Sequence, residues 1–361
     1  MYLVEISFKV VEFELVWFDS LGAKSSCTLV ITPDVKILID PGVAIMHPTF
    51  PAPDTLKFEW LEEGREAVRK ASRKADVIVI SHYHYDHFTD FEKEIYEGKL
   101  VLAKNPNEYI NDSQRKRALR FYGHLYGSFG IELEKVMEEP RSRNWKDIFD
   151  NLRIAKTKDF GDYNKRRLQL LEKGRKWFEN RVDKWKNYKL VPELSLEKVR
   201  VRFAEGRTFK FGGTVIRFTE PMFHGIEYSR VGWVFATVIE YEGYKLIHSS
   251  DLNGPIIEDY AEWIIKENPD VLILDGPMTY MLGYTLNLIN FNRALENAAR
   301  IVEETDTKLI IYDHHLPREP RFRERTLKVW KLGEKLGKKV LTAAEYKGLK
   351  PAVISVTLDT C

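Results

Sequence analysis

The sequence predicts an α/β fold in which a helical segment interrupts a chain of strands. Short apolar, β-branched runs bounded by turn residues recur along the chain, and several of them are arranged as hairpins. Stretches with helical spacing of apolar residues lie between or after these strands. From about residue 105 to residue 200 the pattern changes and becomes helical, charged and aromatic. We expect a single domain over residues 1–361, with residues 105–200 forming a helical, basic insertion within it.

Three hairpins account for much of the predicted strand content. The first joins residues 27–32 to residues 35–40 through Pro33-Asp34, which favours a turn. The second spans residues 209–218 around Gly212-Gly213, because glycine adopts the positive φ that a tight turn requires. The third pairs residues 233–241 with residues 244–248 around Glu242-Gly243.

The other elements are single strands and helices. Short buried strands are predicted over residues 75–81, 269–274 and 308–312, and helices over residues 60–74, 256–267, 292–304 and 323–336. In the middle segment one helix face is predicted to be apolar and consists of Leu168, Leu171, Phe178, Val182 and Trp185.

The composition excludes several classes of protein. With 361 residues, 44% of them hydrophobic and 30% charged, the chain can bury a core of normal size, which excludes a disordered chain or a collagen. Cys27 and Cys361 are the only cysteines, so no disulfide framework is expected and a reducing compartment is favoured. Charged residues in the first twenty positions argue against a signal peptide, and no apolar run is long enough to cross a membrane. We therefore expect a soluble, cytoplasmic protein without a membrane partner. Its two glutamines, beside many Lys, Arg and Glu, are typical of a thermophile.

One short segment carries most of the chemistry. Residues 81–87 place His82, His84, Asp86 and His87 within six positions of a chain that has nine histidines in all. A spacing of two puts His82 and His84 on opposite faces of a helix, so they cannot chelate one ion from a helix. In a loop that leaves a strand, both imidazoles can turn toward one metal ion while Asp86 and His87 reach a second. Imidazole and carboxylate together suit Zn²⁺ best, with Fe or Mn as alternatives.

Further metal-ligating residues follow other predicted strands. His224 comes after the second hairpin, Asp251 after the third, and His314 and His315 after the strand over residues 308–312. Side chains beyond the ends of several strands can converge on one edge of a sheet. The remaining histidines that we considered are predicted to be packed or surface residues: His47, His124 and His248.

This pattern resembles the metallo-β-lactamase superfamily. The resemblance rests on the His-x-His-x-Asp-His run followed by His, Asp and His after successive strands, and on the segments ending Ile39-Asp40-Pro41-Gly42 and Leu274-Asp275-Gly276. Within the superfamily the chain is most similar to an archaeal family of predicted metal-dependent hydrolases. The resemblance covers most of the chain apart from the helical segment. It implies a four-layer αββα sandwich, in which two sheets pack face to face beneath helices, but it implies no substrate.

The resemblance also implies roles for the candidate residues. Two divalent metal ions, Zn²⁺ in the first instance, would be held by one set of three residues each and bridged by Asp251: His82, His84 and His224 for the first ion, and Asp86, His87 and His314 for the second. His315 is the alternative to His314. Asp40 and Asp275 are expected to accept the other N–H of ligand imidazoles, with turn capping as the alternative role.

The function expected from such a centre is metal-dependent hydrolysis. Two neighbouring ions lower the pKa of a shared water, and Asp86 would steer that water or shuttle its proton. A phosphoester, either a small molecule or nucleic acid, is the expected substrate. One alternative is hydrolysis of a small carboxylic ester, lactone or amide. Another is a non-catalytic nucleic-acid-binding protein with a relic metal site.

The helical segment leaves two roles open. Residues 141–189 contain 16 Lys or Arg and 7 Asp or Glu, and the cations alternate with aromatic residues. Such a surface can hold a polyanion by charge and nucleic-acid bases by stacking. Alternatively, the cations lie on a solvated helix face, and the segment covers the active site. Three arginines are candidate phosphate contacts: Arg141, Arg143 and Arg318. The sequence does not predict an oligomeric state.

Overall fold

The computed structural model describes residues 11–358, so Cys361 and the first ten residues lie outside the description. The strands are β1 (Glu12–Phe18), β2 (Ser26–Ile31), β3 (Lys36–Ile39), β4 (Val77–Ile80), β5 (Lys99–Ala103), β6 (Leu194–Leu196), β7 (Val199–Phe203), β8 (Thr208–Phe211), β9 (Thr214–Phe218), β10 (Met222–Phe223), β11 (Trp233–Val234), β12 (Thr237–Tyr241), β13 (Tyr244–His248), β14 (Val271–Asp275), β15 (Leu309–Asp313) and β16 (Lys339–Leu341).

The α-helices lie between and after these strands. They are α1 (Asp54–Ser72), α2 (Lys93–Tyr96), α3 (Asp112–Gly127), α4 (Leu133–Val136), α5 (Arg153–Thr157), α6 (Asn164–Trp185), α7 (Glu258–Glu267), α8 (Leu288–Glu304), α9 (Phe322–Arg325), α10 (Leu327–Lys335), α11 (Ala343–Tyr346) and α12 (Ala352–Leu358). Over residues 11–358, none of these helices combines the length and the apolar character that a bilayer span requires.

The strands form two seven-stranded sheets. The first has the order β1-β2-β3-β4-β5-β7-β6 and the second has the order β16-β15-β14-β13-β12-β9-β8, while β10 and β11 form a separate two-stranded ribbon. Apolar side chains from both sheets share one core, in which Val30 and Val79 of the first sheet lie with Ile239 and Ile273 of the second. The two sheets therefore pack face to face.

Helices cover the outer face of each sheet. Val68 of α1 and Phe121 of α3 share a core with Ile78 of the first sheet. Ile301 of α8 shares another core with Leu272 of the second sheet, together with residues of α7 and α10. Burial on both faces is why the central strands are continuously apolar rather than alternating. The predicted four-layer αββα fold is confirmed.

Most predicted strands form where the pattern placed them, but the prediction of one continuous strand over residues 233–241 is wrong. Trp233–Val234 pairs with Met222–Phe223, whereas Thr237–Tyr241 pairs with β13 and β9. Both pieces are buried, so the hydrophobic pattern could not reveal the break between them. The predicted helix over residues 323–336 also divides in two, with Thr326 between α9 and α10.

The helical segment is shorter than the sequence predicted. Helices α3 to α6 lie between β5 and β6, but Leu194–Leu196 and Val199–Phe203 are strands of the first sheet, so the helical pattern ends before residue 200. On α6, Phe178 and Trp185 are buried as expected, whereas Leu168 is 65% exposed. That this segment is an insertion stays a prediction.

Candidate metal centre

The predicted ligands lie beyond the carboxyl ends of strands. The loop containing His82 follows β4, His224 follows β10, Asp251 follows β13 and His314 follows β15. Strands β3 and β4 are parallel, as are β13, β14 and β15, so their carboxyl ends meet at common sheet edges.

Hydrogen bonds join the two sheets at this edge. The Ser250 hydroxyl donates to the Ser81 hydroxyl at 2.8 Å, and His248 Nε2 lies 2.9 Å from the Ser26 carbonyl oxygen. His248 is buried and outside the ligand groups, in agreement with its predicted packing role. These hydrogen bonds hold the strand ends and loops of the two sheets next to each other.

One group of ligand atoms comes from four residues. His82, His84, His224 and Asp251 each offer an atom, and these atoms all lie within 4.8 Å of one another. His82 Nε2 lies 3.0 Å from His84 Nδ1, and His224 Nε2 lies 3.0 Å from Asp251 Oδ2. These are the residues that the sequence analysis assigned to the first ion and to the bridge.

A second group lies beside the first. It contains Asp86, His87 and His314, again with ligand atoms within 4.8 Å. His87 Nε2 lies 3.1 Å from both His314 Nε2 and Asp251 Oδ1. Asp251 therefore turns one oxygen toward each group. His315 joins Asp251 and His314 in a further combination, with its Nε2 3.9 Å from Asp251 Oδ2.

The chemistry of these atoms suits a divalent cation. Both ring nitrogens of His224 and Oδ1 of Asp251 are buried without a hydrogen-bond partner among the described residues. A buried polar atom without a partner costs about 1–3 kcal/mol, and a bound cation removes that cost for lone pairs. Imidazole nitrogen and carboxylate oxygen are the ligands that Zn²⁺ takes in proteins. The residues fit a two-metal centre, and their role as ligands stays a prediction.

Carboxylates hold the imidazoles from behind. Asp40 Oδ2 lies 2.9 Å from His87 Nδ1 and also accepts the Ser81 hydroxyl at 2.7 Å. Asp275 Oδ1 lies 2.8 Å from His315 Nδ1. These contacts fix the ring orientation and the tautomer, which is what an outer carboxylate does in a metal site.

The carboxylate behind His314 is one that the sequence analysis missed. Asp19 Oδ1 lies 3.0 Å from His314 Nδ1, and its other oxygen accepts the Arg318 guanidinium Nε–H. Asp19 is 295 positions from His314 along the chain, in a turn before β2, and no local pattern marks it.

Burial and charge set the protonation of the cluster. Burial lowers the pKa of His82 to about 4, so its imidazole is neutral and available as a ligand. Burial also acts to lower the pKa of His87, but Asp251 and Asp40 outweigh it and raise that pKa to about 10. His87 would therefore lose a proton when a cation binds.

The predicted phosphate contacts lie in two different places. Arg141 and Arg143 line a polar cavity of about 550 Å³ that none of the metal-group residues border, and they pair with Glu138 and Glu108. Arg318 lies at the centre itself, with Nη2 3.7 Å from Asp86 Oδ2. His47 and His124 are outside the ligand groups.

Comparison with known proteins agrees with this fold. A family model described as the metallo-beta-lactamase superfamily matches residues 22–139. Solved structures with a similar fold include YhfI from Bacillus subtilis, at 13% identity and a TM-score of 0.41 over 88% of both chains. Human tRNase Z, short form, matches at 13% identity and a TM-score of 0.38, covering 84% of this chain and 92% of that one. The chain has the metallo-β-lactamase fold.

Full-length relatives define the family more closely. The UPF0282 protein of Methanopyrus kandleri is 31% identical over 356 residues, covering 95% of this chain and 96% of that protein. The UPF0282 protein of Methanocaldococcus jannaschii is 33% identical over 342 residues, covering 91% of this chain and 92% of that protein. The chain belongs to the UPF0282 family.

Proposed function

We propose that this protein is a metal-dependent hydrolase that uses two divalent ions, with Zn²⁺ the favoured metal and a phosphoester the substrate. The observation that carries the proposal is Asp251, whose two oxygens face two neighbouring groups of imidazoles and carboxylates. All the residues expected as ligands are present, and all are buried except the partly buried His84 and Asp86, which argues against a relic site.

The ions would supply a water of lowered pKa and would polarise the oxygens of the substrate. The reaction adds the water oxygen to phosphorus and breaks the P–O ester bond, whose electron pair and a proton from the water leave with the alcohol. We assign the orientation of that water to Asp86, and its greater exposure supports this choice, because its side chain is 14% exposed whereas that of Asp251 is 2% exposed. His87 and His314 are held by Asp40 and Asp19, so the centre needs little rearrangement.

A charged substrate is favoured over a neutral ester because a guanidinium lies at the centre. Arg318 is 5% exposed and its Nη2 lies 3.7 Å from Asp86 Oδ2. Arginine binds phosphate oxygens through several N–H groups at once. A carboxylic ester or lactone offers no charge for this side chain.

The test is metal analysis with turnover of bis(p-nitrophenyl) phosphate. We expect about two metal ions per chain and release of p-nitrophenol, with His84→Ala losing most turnover because one imidazole leaves the first group. The Lys70→Met variant, altered at an exposed residue of α1, serves as the control. Two ions without phosphoester turnover would favour esters and lactones instead, and no bound metal after zinc is supplied would overturn the catalytic proposal.

A further inference from the structure

The Nη2 group of Arg318 donates no hydrogen bond to any of residues 11–358. Its Nε donates to Asp19, its Nη1 donates to the Tyr280 hydroxyl at 3.1 Å, and its Nη2 is buried without a hydrogen bond among the described residues. Asp86 Oδ2 lies 3.7 Å from Nη2. Because a buried unpaired donor is costly, this N–H marks a position where an anionic oxygen would be stabilised.

Lys24 brings a second cation to the same place. Its backbone pairs with Ala44, and the next residue, Ser25, has its carbonyl oxygen 3.1 Å from His314 Nδ1. The structure gives its ammonium no hydrogen bond or ion pair with any of residues 11–358. Burial and the positive charge of Arg318 lower the pKa of Lys24, whereas the negative charges of Asp86 and Asp19 act to raise it.

A third cation, Arg117, contacts the loop that follows β4. It donates to the Tyr83 carbonyl oxygen and to Ser113, and its guanidinium lies 5.7 Å from the Tyr85 ring centre. Burial lowers the pKa of Arg117, whereas Tyr85 and Asp86 act to raise it. Two arginines therefore lie near the loop that carries Asp86: Arg318, whose Nη2 is 3.7 Å from Asp86 Oδ2, and Arg117, which donates to Tyr83 of that loop.

The charges distinguish between phosphate esters. The positive charge of two divalent ions would exceed the negative charge of the carboxylates Asp86 and Asp251. Lys24 adds to this excess, whereas the positive charge of Arg318 is offset by Asp19. A phosphate monoester is a dianion above its second pKa of about 6 and has three terminal oxygens, whereas a diester is a monoanion with two. Three oxygens suffice for the metal centre and for this pair of cations together.

We infer that the substrate is a phosphate monoester whose terminal phosphate is held by a subsite of Arg318 Nη2 and Lys24 beside Asp86. The inference rests on the proposed hydrolase function and deepens it. It assigns Lys24 as a specificity-determining residue, since the ammonium has no other partner among residues 11–358. It also assigns a substrate role to one arm of Arg318 while the other arms hold Asp19 and Tyr280.

The experiment compares Lys24→Met with Lys70→Met in the metal-loaded protein. Lys70 is an exposed residue of α1 outside the metal groups, so the control removes the same charge from the surface. Two substrates are used, p-nitrophenyl phosphate and bis(p-nitrophenyl) phosphate, and binding of inorganic phosphate is measured separately by calorimetry. We expect Lys24→Met to raise KM for the monoester and weaken phosphate binding, each about tenfold, with diester turnover changed less than about twofold. Lys70→Met should match the unaltered protein in every measurement.

The readouts separate failure of the subsite from failure of the hydrolase function. If Lys24→Met affects monoester and diester equally, or leaves phosphate binding unchanged, the subsite is overturned while the hydrolase function stands. If the unaltered protein turns over neither ester, the hydrolase function fails, and the phosphate titration still decides whether Lys24 binds the anion. Arg318→Lys provides a second variant that keeps the charge, with metal content and thermal midpoint measured to verify the fold. It should also weaken phosphate binding, because the ammonium cannot replace the forked donors.

Discussion

At the scale of single residues, two successive histidines, His314 and His315, differ in the candidate ligand groups to which they belong. His314 and His315 have φ angles of 38° and 26°, values that residues other than glycine rarely adopt. This backbone lets both imidazoles turn inward from the end of β15, each with a carboxylate behind it. Only His314 is grouped with Asp86 and His87, whereas His315 faces Asp251 Oδ2 at 3.9 Å.

This difference predicts different metal contents for the His314→Ala and His315→Ala variants. His314→Ala should bind about one ion per chain instead of about two, because the second group loses an imidazole. His315→Ala should keep about two ions while turnover falls, since its ring borders the site without completing either group. Elemental analysis of dialysed protein measures both. Retention of two ions by His314→Ala together with loss of one by His315→Ala would exchange the assignments.

The residues that sequence analysis could and could not predict differ in a physical way. His82, His224 and Asp251 were recognisable because each follows an apolar strand, and strand ends converge at sheet edges. Asp19 and Lys24 lie in the segment before β2, where Asp and Lys have no metal-ligand spacing. Their role depends on which distant loop packs against that turn. Only the folded chain brings them to His314 and Arg318.

At the scale of elements, a buried ion network ties the His224 loop to α8. Arg293 Nη2 lies 2.7 Å from both Glu227 and Glu258, and all three side chains are at most 6% exposed. Arg167 of α6 also pairs with Glu227 at 3.0 Å, and the Arg167 and Arg293 guanidiniums lie about 5 Å from the Phe160 ring centre. Since Glu227 follows His224 by three residues, the network positions the loop that carries this candidate ligand.

Removing the central arginine should therefore destabilise the protein strongly. We expect Arg293→Met to lower the free energy of unfolding by about 3 kcal/mol, because two buried carboxylates lose a shared partner. The matched control is Arg300→Met on the same helix, whose partners Glu262 and Glu304 are 28% and 41% exposed. That change should cost less than about 1 kcal/mol. Urea unfolding of both variants measures the difference, and equal losses would show that the buried network contributes no more than a surface pair.

At the scale of the whole molecule, the charged helical segment proves to be packed by its aromatic residues. Trp177 stacks on Trp233 with ring centres 5.2 Å apart, and Trp185 is buried against the same tryptophan. Tyr188 is covered by the Arg115 guanidinium at 3.7 Å. These rings serve the core and the ribbon that carries His224, so they are not free to stack on nucleic-acid bases. The cation and aromatic pattern of this segment is the pattern of a packed helix with a solvated face.

This arrangement favours α6 as a support for the loop after His224 rather than a polyanion-binding surface. Gly174 of α6 lies so close to Tyr228 that a Cβ atom there would come within 2.5 Å of its side chain. Tyr228 in turn belongs to the loop after His224 and donates to Asp147 at 2.6 Å. The face of α6 that carries Gly174 is therefore fixed by contact with the loop after His224.

We accordingly expect the exposed cations of α6 to be dispensable for activity. Lys165, Arg166 and Lys173 are exposed, and their joint replacement by glutamate changes the charge of the surface by six without removing a buried contact. If the substrate is a small monoester, the triple variant should turn over p-nitrophenyl phosphate within about twofold of the unaltered protein. Its affinity for a labelled 20-nucleotide single-stranded RNA, measured by fluorescence anisotropy at low salt, should also stay within about twofold.

A polyanion surface would instead lose affinity by an order of magnitude or more, because each neutralised phosphate contributes to binding through counterion release. Such a loss, together with intact monoester turnover, would give the segment a nucleic-acid role separate from the metal centre.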